Sequence, residues 1–135
     1  MDTDIIEGYL VRGGTPYEAI GEGMWVVHDE IDQVDNIVIT LSAPVVMFRV
    51  KLMDLPKDAA ESAALCRKLL DLNASSMIVG AYALEGNAVV AVETLQSENL
   101  DFNEFQAAID GLAMAITEHY EALRAYHHPE SQAQG

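Results

Sequence analysis

Leu65-Cys66-Arg67-Lys68-Leu69-Leu70-Asp71-Leu72-Asn73 leads into Met77-Ile78-Val79-Gly80-Ala81-Tyr82-Ala83-Leu84, then Glu85-Gly86-Asn87 and Ala88–Leu95. In the first piece Leu65, Cys66, Leu69, Leu70 and Leu72 recur at helical spacing, and Asn73 is a natural helix stop. In the second the apolar run is short, rich in strand formers, and bounded by a turn. Gly86-Asn87 suits the positive φ angles of a tight hairpin. The stretch is therefore expected to be a helix end followed by a β-hairpin pairing 77–84 with 88–95.

Upstream, Leu55-Pro56-Lys57-Asp58 breaks an extended segment and starts that helix. Asp58 is its expected cap, with Glu61 three residues on. Before it, from Tyr17 to Met53, the apolar period is two. Trp25 and Val27 alternate with Met24, Val26 and His28; Ile37, Ile39 and Leu41 alternate with Val38 and Thr40. A third strand places Val46, Phe48, Val50 and Leu52 on one face and Val45, Met47, Arg49, Lys51 and Met53 on the other, with Pro44 in the preceding turn or at the strand's first position. Residues 2–12 form a short helix with Ile5, Ile6, Tyr9 and Leu10 on one face, ended by Gly13-Gly14. That helix is either docked on the sheet or a mobile arm.

Downstream, Asp101 and Glu104 make a capping box, and a long helix runs to about Tyr126. Phe105, Ile109, Leu112, Ile116, His119 and Leu123 form one stripe along it. Gly111 in its middle costs about 1 kcal/mol against alanine, which predicts close packing there. The order is α-β-β-β-α-β-β-α: an α+β fold with a five-stranded antiparallel sheet and helices mostly on one face. Residues 1–128 are expected to be one domain, and 129–135 a flexible C-terminal tail.

The chain has 135 residues, half of them apolar, with 22 acidic residues against 7 basic ones for a net charge of −15. Such an excess of negative charge disfavours nucleic acid and anionic lipid as partners. The N-terminus is acidic and lacks a signal-peptide pattern. The longest charge-free run, Asn36–Phe48, is too short for a span of roughly 20 residues, so no membrane insertion is expected. With one cysteine, Cys66, no internal disulfide forms; together these features predict a cytoplasmic protein.

Element order and local wording together resemble the type III secretion chaperone-like superfamily, which includes the Tir-chaperone family and YbjN-like proteins. The carrying residues are Leu69-Leu70-Asp71-Leu72-Asn73, Gly80-Ala81-Tyr82-Ala83-Leu84-Glu85-Gly86-Asn87 and Asn99-Leu100-Asp101-Phe102-Asn103-Glu104-Phe105. The resemblance implies a small, non-enzymatic, commonly homodimeric protein that holds a segment of a partner protein on its sheet. It implies a dimer through the second helix and neighbouring strand, here Leu65, Cys66, Leu69, Leu70, Ile78, Gly80 and Tyr82. No catalytic motif comes with it, and nothing in the chain names a client or a secretion system.

No other constellation carries chemistry. Asp29, Glu30, Asp32 and Asp35 crowd one turn without the ligand spacing of a calcium loop, and a solvated acidic turn is expected. His127 and His128 are adjacent, His119 lies on the apolar stripe, and His28 lies in a strand, so no metal site and no cofactor are expected. Cys66, among leucines, is expected to behave as a small hydrophobe. The informative surface is the wetter sheet face: Val38, Thr40, Val45, Met47, Arg49 and Lys51, joined by Met24 or Trp25 depending on register. It is either a half-exposed sheet or a partner-binding groove of adaptable apolar contacts with two cations. The competing functions are an accessory regulatory subunit docking by its long helix and a small-molecule-binding domain using the acidic turn or Cys66.

Overall fold

The computed structural model describes residues 2–29 and 34–126. Three helices and six strands follow in the order α1 (Thr3–Gly13), β1 (Tyr17–Gly21), β2 (Met24–Asp29), β3 (Val34–Ser42), β4 (Val45–Asp54), α2 (Ala59–Ser75), β5 (Ala81–Glu85), β6 (Ala88–Gln96) and α3 (Phe102–Arg124). The strands form one antiparallel sheet ordered β1-β2-β3-β4-β6-β5. The expected order holds with one addition. The sheet has six strands rather than five, because Gly21-Glu22-Gly23 is a hairpin turn that folds Tyr17–Gly21 back onto β2, not the boundary of a first strand.

Each helix begins on an aspartate cap, as expected for Asp58 and Asp101. Asp2 accepts a hydrogen bond from the Ile5 amide, Asp58 from the Glu61 amide, and Asp101 from the Glu104 amide at 2.7 Å. The Glu104 carboxylate accepts in turn from the Asp101 amide, completing the box on α3. Gly14 stops α1 with φ 75°, and α2 runs on past Asn73 to Ser75. The second hairpin is shorter than expected at its start, 81–85 against 88–96. Residues 77–80 form a connection that ends in Gly80 at φ 73°. At the hairpin tip only Gly86 takes a positive φ, 59°, as a turn with glycine at its first central position requires.

α1 and α3 lie across one face of the sheet, and α2 flanks β5 at its edge. The core is filled from Trp25, Val27, Ile37, Ile39, Val46, Phe48 and Val50 on the strands and Phe105, Ile109, Leu112 and Ile116 on α3. Phe48 and Phe105 meet at 5.4 Å between ring centroids, and Tyr9 of α1 meets Phe105 at the same distance. α1 is docked rather than an arm: Ile6 and Leu10 are buried, the Tyr9 hydroxyl donates to the Leu100 carbonyl, and Trp25 Nε1 donates to Glu7. The strip expected on β4 shifts at its end. A register irregularity between Lys51 and Met53 turns Met53 into the core.

The α2–β5 connection passes directly beneath α3. A Cβ on Gly111 would lie 2.5 Å from Val79 Cγ2, so the close packing expected at that glycine is present. Gly80 is held as tightly: a Cβ there would come within 2.4 Å of the Val92 carbonyl oxygen. The Gly80 amide donates to Glu93 at 2.9 Å.

Candidate binding face of the sheet

Strand register decides which side chains share the face that no described helix covers. Met24, Thr40, Met47 and Thr94 form one cross-strand row; Val26, Val38, Arg49, Val92 and Ala81 form the next. Lys51, Val90 and Ala83 form a third row. Val45 lies opposite Gln96 at the end of the same face. Most of these side chains are half-buried, and Met47 is 40% exposed. Val90 is fully buried yet stands outside the core cluster, so this face has a small dry centre of its own.

Of the residues expected here, Met24, Val38, Thr40, Val45, Met47, Arg49 and Lys51 are brought together. Trp25 is not: its ring points into the core at 1% exposure, and Met24 takes the outer position. Val90, Val92, Ala81, Ala83 and Thr94 complete the surface and were not foreseen. The β5–β6 hairpin is apolar on both faces, so its alternation does not reveal that one side joins the outer rows.

The two cations on this face are already engaged. Arg49 Nε donates to Glu85, and Lys51 Nζ lies 3.1 Å from Asp54. The hydrogen bond to Arg49 holds the Glu85 carboxyl below the usual carboxylate range and raises the guanidinium in return. Both pairs are exposed, and they set the direction of side chains more than they stabilise the fold.

The residues expected at a dimer contact divide in two. Leu65, Leu69 and Tyr82 are buried within the chain's own core, and Cys66 and Gly80 are half-buried. Leu70 at 65% and Ile78 at 97% face outward, as does Leu84 on β5. Asn73, expected only to stop α2, does more. Its side chain donates to the Tyr82 carbonyl at 3.0 Å and accepts from the Tyr82 amide at 2.7 Å, satisfying the open edge of β5.

Behind β5, the Tyr82 hydroxyl and His119 Nδ1 share a 2.7 Å hydrogen bond. Burial raises the Tyr82 pKa, with the Glu118 charge adding to it; burial lowers that of His119, against Glu118 and with Lys68. An open cleft of about 610 Å³ beside the start of α2 is lined by Asp54, Leu55, Pro56, Lys57, Ala59, Ser62 and Asn87. No nucleophile–base pair is assembled among these side chains. Among the described residues no group of three or more His, Cys, Asp and Glu is placed to hold a metal ion. The acidic turn from Glu30 and the His127-His128 pair lie outside the described residues, as does the tail.

The CesT_Tir_1 family model matches residues 3–129. The chain belongs to the CesT_Tir_1 family. It is thereby a type III secretion chaperone-like protein, as its wording suggested, and solved structures agree in fold. YbjN from E. coli is 15% identical, with a TM-score of 0.67 over 90% of this chain and 93% of that one. A chain of the heterodimeric ExoU–SpcU complex from the type III secretion system of Pseudomonas aeruginosa is 16% identical, with a TM-score of 0.67 over 92% and 98%. The Yersinia pestis chaperone SycH, solved with a fragment of YscM2, is 15% identical, with a TM-score of 0.59 over 85% and 97%. No curated protein matches the chain by sequence.

Proposed function

We propose that this CesT_Tir_1 family member is a non-enzymatic, cytoplasmic protein-binding module that works as a homodimer and holds a segment of a client protein on the outer face of its sheet. One observation carries the reading: the three described helices pack on the other side or at the edge, leaving rows of methionine and valine that no described helix covers. Methionine adapts to varied apolar partners, and a stiff sheet presents it at little entropic cost. SpcU and SycH were solved in complexes with ExoU and a YscM2 fragment, which supports a client-binding role in this family. YbjN has been suggested to regulate transcription; with a net charge of −15, direct contact with nucleic acid is disfavoured here.

The dimer is assigned to the outward side of α2 and the connection after it, where Leu70 and Ile78 stand exposed on one continuous segment. Light scattering should give a mass twice the 14.7 kDa of one chain, and Leu70→Asp with Ile78→Asp should return it to one. A photo-crosslinking residue at Met47 or Thr94 should trap a client in the producing cell, while one at Met114 on α3 should not. Equal trapping from both sides would remove the outer face as the client site.

A further inference from the structure

We infer that Asn73 shuts the β5 edge of the sheet to strand pairing, so that a second copy of the chain meeting this flank is held by side chains and not by a shared sheet. This rests on the homodimer for what the second copy touches; the closure itself belongs to one chain. β5 is an edge strand, with β6 on one side only. Backbone groups alternate in direction along it, so Tyr82 and Leu84 present their amides and carbonyls away from β6. At Tyr82 both are taken. Asn73 of α2 accepts from the amide at 2.7 Å and donates to the carbonyl at 3.0 Å. One side-chain amide thus makes the donor–acceptor pair that a neighbouring strand would make. Among the described residues nothing bonds the corresponding groups of Leu84, and its side chain is exposed.

The two-residue spacing makes a single lock sufficient. Two copies pairing β5 antiparallel about a twofold axis at Ala83 would set Tyr82 of each against Leu84 of the other, and each such pair exchanges two hydrogen bonds. Both pairs contain a Tyr82 that Asn73 already holds, so the joined sheet gains none of these bonds unless Asn73 is displaced. A twofold at Leu84 itself would leave a single free pair. What the flank does offer is apolar: Leu70 on α2, Ile78 on the connection and Leu84 on β5 stand exposed. The other edge of the sheet is guarded by different means, a bulge between Ala19 and Gly21 on β1 and exposed Glu18.

Residue-resolved amide exchange at low and high protein concentration, with sedimentation velocity alongside, tests this on the full chain. In the parent the Tyr82 amide should be protected at both concentrations and the Leu84 amide at neither, even where a dimer has formed. In Asn73→Ala the Tyr82 amide should exchange about tenfold faster at low concentration, the loss expected for one hydrogen bond. At high concentration the Tyr82 and Leu84 amides should become protected together as the variant self-associates. Adding Leu84→Pro, which removes an amide that β6 does not use, should abolish that protection. Protection of the Leu84 amide in the associated parent would mean that strands pair despite Asn73, and it would overturn the lock without any variant having to fold. An Asn73→Ala chain whose two amides stay exposed at every concentration overturns it as well. A parent that remains a single chain at high concentration removes the homodimer instead; the lock then stands or falls on Asn73→Ala, or on Asn73→Ser if alanine unfolds the chain.

Discussion

Phe48 and Met47 are neighbours on β4 and belong to two different surfaces. Phe48 is fully buried against Phe105 of α3, in the layer where sheet and helices interlock. Met47 is 40% exposed on the other side, between Thr40 and Thr94. One face is a solved packing problem, with aromatic rings, two glycine-sized close approaches and docked helices. The other mixes methionine and valine with threonine, arginine and lysine, and no described helix covers it. The difference separates what this chain spends its sequence on for folding from what it leaves for a partner.

The sharpest way to break that comparison is to truncate both neighbours. Phe48→Ala should destabilise the fold by about 3–5 kcal/mol, because it removes a ring and leaves a cavity under α3. Met47→Ala should stay within about 0.5 kcal/mol, since the side chain has little packing to lose. Urea unfolding of the two variants measures the contrast. Comparable losses would mean that the outer face is covered by the chain or its twin.

How far the two faces were legible follows from the same strand. Alternation along β3 and β4 separated Ile37, Ile39, Phe48 and Val50 from Val38, Thr40, Met47 and Arg49, because polar and charged residues mark the outer set. On β2 it failed to choose a side: Met24 and Val26 are as apolar as Trp25 and Val27, and only pairing with β3 settles which row points inward. β1 was missed because Tyr17-Glu18-Ala19-Ile20-Gly21 is short and mostly exposed, so burial leaves little pattern on it. Met53 was placed on the wrong face because an extra residue in one strand of a pair has no mark in local composition. The candidate site was legible where charges interrupted it and hidden on β5–β6, where valine and alanine occupy both sides. Asn73 was seen as a helix stop; its bonds to Tyr82 depend on a strand nine residues later and on no local pattern.

A smaller effect probes how closely the helix layer is fitted. Gly111→Ala gains about 1 kcal/mol of helix propensity but drives a methyl group into Val79, an overpacking that costs about 1–3 kcal/mol. A net loss of about 1 kcal/mol is expected in thermal unfolding. In a Val79→Ala background the collision is relieved and the same substitution should turn stabilising. A gain from Gly111→Ala alone would show that α3 sits farther from the connection than the packing here requires.

The smallest effect concerns the polar pair inside the covered layer. His119 is 7% exposed, bonded to Tyr82 of β5, with Lys68 of α2 and Glu118 of α3 as the charges acting on it. Burial holds its pKa below the ordinary histidine value, Glu118 opposing and Lys68 assisting, so the folded state favours the neutral ring. As the pH falls through about 6.5 the unfolded chain takes up the proton first. The stability contributed by the neutral ring is present above that pH and lost as the pH falls toward the folded value. His119→Gln should therefore flatten the decline in stability between about pH 7 and 5 relative to the parent, which retains the other histidines. Tyr82→Phe separates the two causes available at this site. It removes the hydrogen bond and leaves the burial, so the pH slope should survive even though the overall stability drops. If Tyr82→Phe flattened the slope as fully as His119→Gln, the hydrogen bond would be what keeps the ring neutral, and the fit of α3 against β5 would be set by a polar contact rather than by exclusion of water.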